Sequence, residues 1–445
     1  MFTAIIVTFI IGYVFIVLEH NIHVDKAATA LVTGILCWIF LIFGGESLSA
    51  LQITPEGMPL LTGEGFEKGM EHSIVATIGE IAQVLFFLLA SMTSIVLIDA
   101  HQGFSVITER IKADNIKKLY WTIGIITFCL SLVLDNMSTS ILMIALVSKL
   151  IPKKEMLWLF GGMIVIAANL GGAASPIGDT TTIYLWLQNT IDTTGIIKMV
   201  FIPAFVALLA TLFVGSMFLK SSDELAEKSG GNENEPHIPH WEKTTFFIVG
   251  LGSLLSVPVL KLLFNIPPFM GMLLTLGMLW VISERIGRKR EEDDRHALSV
   301  TRALKAIDTN SILFFLGILM AVAALQTAGH LGLLSAWLGD VFPNMYAQNI
   351  IIGCLSAVMD NVPLVVAATK MYSLEVYPTG HDFWNLLAFC AGTGGSILII
   401  GSAAGIALMG ILKIPFFWYF KRITMLATIA YVVGIAMYAL MSSIF

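Results

Sequence analysis

Two aspartate–asparagine pairs lie inside apolar stretches of the sequence, where charged side chains are rare. Asp135 and Asn136 occur within LVLDNMSTSILMIALV, and Asp360 and Asn361 occur within AVMDNVPLVVAATKMY. The two pairs are 360 − 135 = 225 residues apart, about half of the 445-residue chain. A carboxylate in apolar surroundings is costly and is therefore a candidate functional group. Its recurrence half a chain later predicts a duplicated architecture.

The two apolar segments that follow these pairs are interrupted by small, helix-breaking and hydroxyl-bearing residues. The first reads AANLGGAASPIGDTTTIYLW over residues 167–186 and places Asp179 beside Thr180, with Ser175 four residues earlier. The second reads FCAGTGGSILIIGSAAGIAL over residues 389–408. Small residues alone would fit close helix packing in a membrane, whereas a carboxylate among hydroxyls favours a hard cation. The sequence therefore predicts two discontinuous helices that present oxygen ligands.

Acidic side chains are placed deeper in the apolar segments than basic ones. The acids in question are Glu80, Asp135, Asp179 and Asp360, and the lysines lie near segment ends. Intramembrane acids without a basic partner point to a cation as their counter-charge. Since burial and like charges generally raise the pKa of a carboxyl group, a proton and a metal cation would compete for such a site, as in an antiporter. The plainer alternative is a neutral helix-capping carboxyl for Asp135 and Asp360, and an interface residue for Glu80.

The composition is that of a membrane protein. The chain is 57% hydrophobic and 13% charged, with a mean hydropathy of +0.85, whereas soluble domains are about half apolar and a quarter charged. Apolar spans are predicted near residues 2–18, 28–43, 74–98, 157–189, 196–219, 244–262, 269–283, 309–338, 383–412 and 416–443. Zinc-ligand spacings, dinucleotide fingerprints and catalytic triads are not apparent. We therefore predict an all-α polytopic membrane protein that is not an enzyme and has neither a cofactor nor a nucleic-acid partner.

Loop charges predict the topology. Lys and Arg mark cytoplasmic loops, and the loop 284–308 is rich in both. Counting spans back from it, both ends of the block 119–150 lie on the cytoplasmic side. This predicts a re-entrant hairpin with its tip at Asp135, rather than one long tilted helix. The block 346–372 is predicted to return to the outer side in the same way around Asp360.

Each half of the chain is predicted to hold five spans and one hairpin. The first half is 1–219, with its broken helix at 157–189, and the second is 244–445, with its broken helix at 383–412. A cytoplasmic linker, 220–243, joins them. Because five is odd, the second half begins on the opposite side of the membrane. The sequence therefore predicts an inverted-topology repeat with both termini on the outer side.

Four motifs together resemble a known family. LVLDNMSTSILMI, GGAASPIGDTTT, AVMDNVPLVVAA and GTGGSILIIGSAAG are similar to motifs of the NhaD-type sodium/proton antiporters of the ion transporter superfamily. The resemblance spans residues 74–215 and 309–443. It implies two inverted repeats, re-entrant hairpins, and exchange of Na⁺ or Li⁺ for H⁺. It also implies a homodimer with an elevator-like movement, placed in the lipid bilayer of a bacterial inner membrane.

The resemblance also implies which residues form the site. It assigns cation or proton binding to Asp135, Asn136, Asp179, Thr180, Asp360 and Asn361, with Ser175 and Ser396 lining the site. Accessory candidates are Glu80, Thr139, Thr181 and Thr393. Two histidines at predicted segment ends, His101 and His330, are candidates for pH sensing.

A second class of substrate stays open at this point. The same superfamily includes dicarboxylate and arsenite carriers, so the alternative is a cation-coupled carrier of a small organic or metalloid anion. Dicarboxylate carriers have Ser-Asn-Thr motifs at the hairpin tips, whereas this chain has Asp-Asn there. An anionic substrate is therefore disfavoured on charge grounds. A channel is a further alternative, and it would lack proton dependence.

Overall fold

The computed structural model describes residues 2–17, 19–49, 64–108, 115–148, 150–219, 238–288, 290, 296, 298–342 and 344–444. Within these residues every regular element is an α-helix. The helices before residue 220 are α1 (Phe2–Val17), α2 (Glu19–Ile22), α3 (Lys26–Ser49), α4 (Glu64–Ala100), α5 (Ser105–Thr108), α6 (Ile116–Ser131), α7 (Asn136–Ser148), α8 (Lys154–Ala173), α9 (Thr180–Leu187) and α10 (Thr193–Met217). Those after residue 237 are α11 (His240–Phe264), α12 (Pro268–Gly287), α13 (Val300–Ala306), α14 (Thr309–Thr327), α15 (His330–Val341), α16 (Met345–Ser356), α17 (Asn361–Met371), α18 (Asp382–Gly394), α19 (Ala403–Leu412), α20 (Phe416–Arg422) and α21 (Thr424–Ser442).

Eight helices in the described part of the chain are long and apolar enough to cross a membrane. They are α3, α4, α8, α10, α11, α12, α14 and α21. A helix of about 20 residues rises about 30 Å, which matches the hydrocarbon core of a bilayer. The bent pair of α19 and α20, which turns by 117°, would add a ninth span if it is counted as one. The prediction of an all-α polytopic membrane protein is confirmed.

The chain divides into two compact units, each of which takes segments from both halves of the sequence. The first unit comprises Met1–Leu89, Asp308–Gln348 and Pro363–Pro378. Within it, α3 packs against both α1 and α14. The indole Nε1 of Trp38 on α3 donates a hydrogen bond to the carbonyl oxygen of Met320 on α14 at 2.9 Å. This bond satisfies the polar atom of an otherwise buried indole.

Gly317 allows α14 to approach α3 closely. A Cβ atom at this position would overlap the backbone of Ala30 and Leu31. We therefore expect Gly317→Ala to push the two helices apart and to destabilise the protein by about 1–3 kcal/mol, the usual cost of overpacking. Thermal unfolding in detergent should show a lower midpoint. The control Gly277→Ala, whose Cβ would meet nothing within 4 Å, should leave the midpoint in place. Equal midpoints for the two variants would contradict the close contact.

The second unit is built around α8. It comprises Ala90–Ile307, Asn349–Val362 and Thr379–Phe445. Helix α8 packs against α6, α7, α10, α18 and α19. Its central span is 83% buried within the protein, as expected for a helix that is apolar on all sides. Any polar side chain on α8 is therefore held in the interior of this unit.

Helix breaks occur at the four places where the sequence indicated interruptions. Residues 132–135 separate α6 from α7, and residues 357–360 separate α16 from α17. Residues 174–179 separate α8 from α9, and residues 395–402 separate α18 from α19. Helices α6 and α7 have 16 and 13 residues, which is short for a full bilayer crossing. The re-entrant path of each hairpin and the inverted repeat stay predictions.

Two segments that were predicted as single spans are each divided into two helices. The segment 309–338, predicted as one span, is two helices, because Gly329 has a φ of 82° and a residue in the left-handed region ends a helix. The segment 416–443 is likewise divided at Ile423 into α20 and α21. The predicted span 74–98 agrees with the apolar part of α4, Ser73–Ala100, and polar residues extend the helix back to Glu64.

Parts of the predicted topology fall on residues that the structure does not describe. Of the predicted linker 220–243, residues 220–237 lie outside the described residues, and α11 begins at His240. The basic residues Arg110 and Lys112, which support a cytoplasmic placement of the first hairpin, also lie outside the described residues. Each compact unit contains segments from both halves of the sequence, so the units do not correspond to the predicted repeats. The boundary between the repeats therefore stays a prediction.

Candidate functional site

Asp135 occupies the position just before α7 and caps that helix. Its Oδ1 accepts hydrogen bonds from the backbone amides of Met137 and Ser138, both at 3.0 Å. A helix N-terminus presents unpaired amides and a partial positive charge, so a carboxylate is stabilised there. The other oxygen, Oδ2, is buried and has no hydrogen-bond partner among the described residues. One half of this carboxylate is therefore fixed, and the other half is available to a ligand or a proton.

A chain of amide and hydroxyl groups connects the first hairpin with the second broken helix. Asn136 Nδ2 donates to Asn169 Oδ1 at 2.9 Å. Asn169 Nδ2 donates to the hydroxyl of Ser396 at 2.8 Å and to that of Ser402 at 3.1 Å. All four side chains are buried. Because Asn169 lies on α8, the central helix of the unit holds both partners in register.

Asp179 caps the second part of the first broken helix. Its Oδ1 accepts from the backbone amide of Thr181 at 3.3 Å, and a capping box with Thr182 completes the N-terminus of α9. Its Oδ2 accepts from the side-chain amide of Asn361 at 3.2 Å. Asp179 is 1% exposed. The second Asp-Asn pair thus meets the acid of the first broken helix.

Asp179 lies near the other two acids, and the hydrogen-bond donors to Asp135 and Asp179 are neutral. Asp179 is close enough to both Asp135 and Asp360 for electrostatic repulsion. The donors to Asp135 and Asp179 are backbone amides and the Asn361 amide. Within the described residues, however, no three His, Cys, Asp or Glu side chains converge enough to hold one metal ion. A bound cation would therefore take most of its ligands from hydroxyl, amide and backbone oxygens, in keeping with hard-cation chemistry.

Equivalent contacts join each hairpin to the broken helix of the same half. The Ser131 hydroxyl at the end of α6 donates to Ala168 O at 2.6 Å, and the Ser356 hydroxyl at the end of α16 donates to Ala391 O at 2.7 Å. The donors are 356 − 131 = 225 residues apart and the acceptors 391 − 168 = 223 residues apart. The matched bonds hold the two Asp-Asn tips in similar surroundings.

The two broken helices differ at their most chemically important position. Ser402 caps α19 as Asp179 caps α9, with an offset of 402 − 179 = 223 residues. The backbone angles are also alike, with φ and ψ of −143° and 148° at Asp179 and −141° and 152° at Ser402. The first break therefore carries a carboxylate where the second carries a hydroxyl, so the negative charge of the site is unevenly distributed.

The remaining hydroxyl candidates have different surroundings. Ser175 donates to Leu132 O at 2.5 Å and so ties the first break to the hairpin. Thr393 donates within its own helix, to Phe389 O at 2.6 Å. The Thr139 hydroxyl, one helical turn after Asp135, is fully buried and without a partner in the described residues.

Two threonines lie beside Asp179. Thr180 is the first residue of α9 and is partly buried. The Thr181 hydroxyl lies near the Asp179 carboxylate without a hydrogen bond of normal geometry. Both threonines therefore lie close to Asp179, and their part in ion binding stays a prediction.

Glu80 is not brought into this cluster. It lies in the first compact unit, where its carboxylate is 49% exposed and forms an ion pair with Lys370 Nζ at 3.0 Å. A partly exposed pair of this kind contributes little to stability. The structure thus gives Glu80 a basic partner that the sequence did not indicate, and its accessory role stays a prediction.

Asn169 and Ser402 are the site residues that the sequence reasoning missed. Asn169 lies in the quoted motif AANLGG, and Ser402 lies in GSAAG. A buried amide within an apolar helix is a weak signal on its own, because it carries no charge. Ser402 could have been found as the residue aligned with Asp179 at the 223-residue offset.

The chain is similar to a family of citrate transporters and to proteins named as sodium/proton antiporters. A family model described as "CitMHS: Citrate transporter" matches residues 13–385. The chain is 40% identical over 428 residues to "Sodium/proton antiporter 1" of Arabidopsis thaliana, covering 96% of this chain and 70% of that protein. It is 30% identical over 429 residues to "Na(+)/H(+) antiporter NhaD" of Alkalimonas amylolytica, covering 91% of this chain and 83% of that protein.

The fold is also similar to that of a solved transporter. The crystal structure of the Alcanivorax borkumensis YdaH transporter superposes with a TM-score of 0.57, covering 91% of this chain and 97% of that one. At 12% identity this similarity concerns the fold alone. Together with the four motifs, the sequence matches place the chain among transporters. The chain belongs to the NhaD-type sodium/proton antiporter family, within the wider group that the citrate-transporter model describes.

Proposed function

We propose that the protein exchanges Na⁺ or Li⁺ for H⁺ across the membrane. The observation that carries the proposal is the half-free carboxylate of Asp135, whose Oδ2 is buried without a partner among the described residues. A buried carboxylate oxygen is costly unless it is protonated or paired. Its occupant would therefore alternate between a proton and a cation. The names of the relatives in Arabidopsis thaliana and Alkalimonas amylolytica support Na⁺ and H⁺ as the exchanged ions.

The other residues of the cluster would shape this competition. Asn361 donates to Asp179 Oδ2, so it compensates part of the negative charge when no cation is present. Thr139 supplies an unpartnered hydroxyl one turn from Asp135. The chain from Asn136 through Asn169 to Ser396 aligns acceptor oxygens without adding charge. A monovalent hard cation suits such a set, since it needs oxygen ligands and little excess negative charge.

The wider transport cycle is part of the same proposal. The cluster would face each side of the membrane in turn, with the two hairpins as re-entrant elements of an inverted repeat. A homodimer with an elevator-like movement, a bacterial inner membrane and both termini on the outer side complete the proposal. The matched bonds of Ser131 and Ser356 support the repeat. The basic loop 284–308 supports the orientation.

The alternative is a cation-coupled carrier of a small organic or metalloid anion. The description of the family model as a citrate transporter favours it. An anion site in the membrane needs positive groups, such as Arg, Lys or helix N-termini. The two helix N-termini at Asp135 and Asp179 are already capped by carboxylates. Exchange of cations for protons is therefore the better-supported function.

The proposal is tested by proton movement in everted vesicles from a host without its own sodium/proton antiporters. Na⁺, Li⁺ or K⁺ would be added over about pH 6.5 to 9.5, because buried carboxyl groups in general titrate above their ordinary range. Na⁺ and Li⁺ should dissipate the pH gradient. Sodium-driven uptake of citrate or arsenite, without any cation-dependent proton movement, would replace the proposal by the alternative.

Asp179→Asn should lower this activity by at least about tenfold, since it removes a full charge from a low-dielectric site. Asparagine still caps helices well, so α9 should form. The matched control is Asp192→Asn, which changes the cap of α10, where Asp192 Oδ2 accepts from Gly195 N at 2.8 Å. Equal activity in the two variants would show that the Asp179 charge has no part in transport.

A further inference from the structure

A second group of buried polar side chains lies in the second unit, away from the candidate cation site at Asp135 and Asp179. His101 follows α4, Glu242 lies in the first turn of α11, Ser283 lies near the end of α12, and Arg290 follows α12. His101 and Glu242 are each 1% exposed, and Ser283 is 5% exposed. The His101 ring stacks on Phe246 with ring centroids 3.6 Å apart. The imidazole thus joins its own segment to α11 and α12, and Arg290 is connected through Glu242.

The hydrogen bonds around His101 fit its protonated form. Nδ1 lies 2.7 Å from Glu242 Oε1, and Nε2 lies 3.3 Å from the Ser283 hydroxyl. The single proton of Ser283 is donated to Leu298 O at 3.0 Å, so the Ser283 oxygen is left to accept from His101. Only a doubly protonated imidazole can donate at both ends. Glu242 and Arg290 are paired at 2.5 Å and compensate each other, which leaves the imidazole charge as the variable one.

Loss of the His101 proton would redirect the Ser283 hydroxyl. A neutral imidazole that donates from Nδ1 to Glu242 has a bare Nε2, which needs a donor. Ser283 is within reach of that nitrogen, but it has one proton and can donate it only once. Turning toward His101 would take the donor away from Leu298 O. The protonation state of His101 is therefore coupled to the backbone at Leu298.

The position of Leu298 gives this coupling a consequence. Ser299 caps α13, with its hydroxyl accepting from Arg302 N at 3.3 Å. Directly after α13, the chain passes from the second compact unit, which ends this segment at Ile307, to the first, which resumes at Asp308. The bond from Ser283 to Leu298 thus anchors the connection between the units at its start.

A small cleft borders the His101 group. A cleft of about 10 Å³ is lined by His101, Ser283, Arg290 and Ser299, among others, which is close to the space that one water molecule requires. The cleft is too small for an organic ligand. Among the described residues that line this cleft, the charged ones are Glu284 from α12 and Arg290, and Glu242 from α11 contacts His101 directly.

We propose that His101, Glu242 and Ser283 form a pH-dependent latch that restrains the 298–307 segment at acidic pH and releases it at alkaline pH. Histidine is the side chain whose charge ordinarily changes between about pH 5 and 8. The regulatory role of the latch rests on the proposed function, because the process that it would regulate is the proposed exchange of cations for protons. The latch would hold back ion exchange when the cytoplasm is acidic and permit it when the pH rises.

His101→Gln tests the latch in transport assays. Like a neutral imidazole, a glutamine side chain donates from one end, its NH2 group, and accepts at the other, its carbonyl oxygen, and it cannot gain a proton, so the latch should stay open. We expect the acid limb of the activity profile to move down by roughly one pH unit, into the range where histidine is normally protonated. The control His240→Gln, at an exposed histidine two residues before Glu242, should keep the wild-type profile. An unchanged acid limb in His101→Gln would overturn the proposal.

Hydrogen–deuterium exchange tests the latch without transport. After correction for intrinsic rates, amides of 298–307 in the wild-type protein should exchange faster at about pH 8 than at about pH 6, the interval over which histidine ordinarily loses its proton. Ser283→Ala, a small change that removes the donor to Leu298, should exchange fast at both pH values. If the wild-type exchange shows no such step, the latch is excluded. If the step is present but no cation moves protons, the proposed function fails and the latch stands.

Discussion

Asp135→Asn is expected to abolish cation-dependent proton movement. The substitution removes one unit of charge from a buried oxygen pair whose Oδ2 has no other partner in the described residues. A unit charge about 4 Å from a cation contributes about 4 kcal/mol at an effective dielectric constant of about 20. Its loss corresponds to roughly thousand-fold weaker cation binding. The variant also loses the proton-binding group, so neither half of the exchange should remain in the everted-vesicle assay.

The same variant separates a transport role from a capping role. Asparagine is as good an N-cap as aspartate, so it can still accept from the amides of Met137 and Ser138. Helix α7 should therefore form, and the purified variant should unfold near the wild-type temperature. Asp192→Asn again provides the matched control. Wild-type exchange in Asp135→Asn would mean that Asp135 only caps α7, and the proposed function would then lose its main support.

The sequence allowed the acids of the site to be predicted because each gives a local signal. Asp135, Asp179 and Asp360 are charged residues in apolar surroundings, and the desolvation cost of a charge makes them conspicuous. The break at Asp179 was visible from small residues nearby, whereas the hairpins at Asp135 and Asp360 were inferred from loop charges. Asn169 gives no such signal, since an amide is neutral, and its partners Ser396 and Ser402 are 227 and 233 residues away. Contacts over such separations depend on tertiary packing.

Glu80 gave a clear local signal in the sequence, but its partner could not be predicted from that signal. Its hydropathic surroundings indicated an intramembrane acid without a partner, yet the structure pairs it with Lys370, 290 residues away. Local hydropathy estimates depth in the membrane, but it contains no information on which side chain lies opposite. The division at Gly329 was missed for a related reason. An apolar run reads as one span, and only the observed φ of 82° shows that the helix ends there.

The unequal ends of the two broken helices bear on the substrate. A family that contains both cation exchangers and anion carriers can share helix breaks and hairpins, because these elements only place ligands at the membrane centre. The residues on them decide the charge of the ligand. In this chain one break ends in Asp179 and the other in Ser402, and both hairpin tips carry aspartate. The carboxylates at these positions favour a cationic ligand over an anionic one.

Asn169→Ala is expected to raise the apparent Na⁺ KM by more than about tenfold. The amide links Asn136 with Ser396 and Ser402. Its removal takes away the acceptor of the Asn136 amide and the donor to Ser396, and a buried polar group left unpaired costs about 1–3 kcal/mol, whereas Ser402 keeps the hydrogen bond from Gly405 N at 3.2 Å. Asn136 and Ser396 would then find other partners and lose the alignment that positions the site. The matched control is Asn385→Ala on α18, which removes an equally buried amide whose Nδ2 donates only to Gly380 O, at 3.1 Å. If both variants lower thermal stability but only Asn169→Ala raises the KM, Asn169 positions the cation ligands; equal KM values would reduce it to a packing residue.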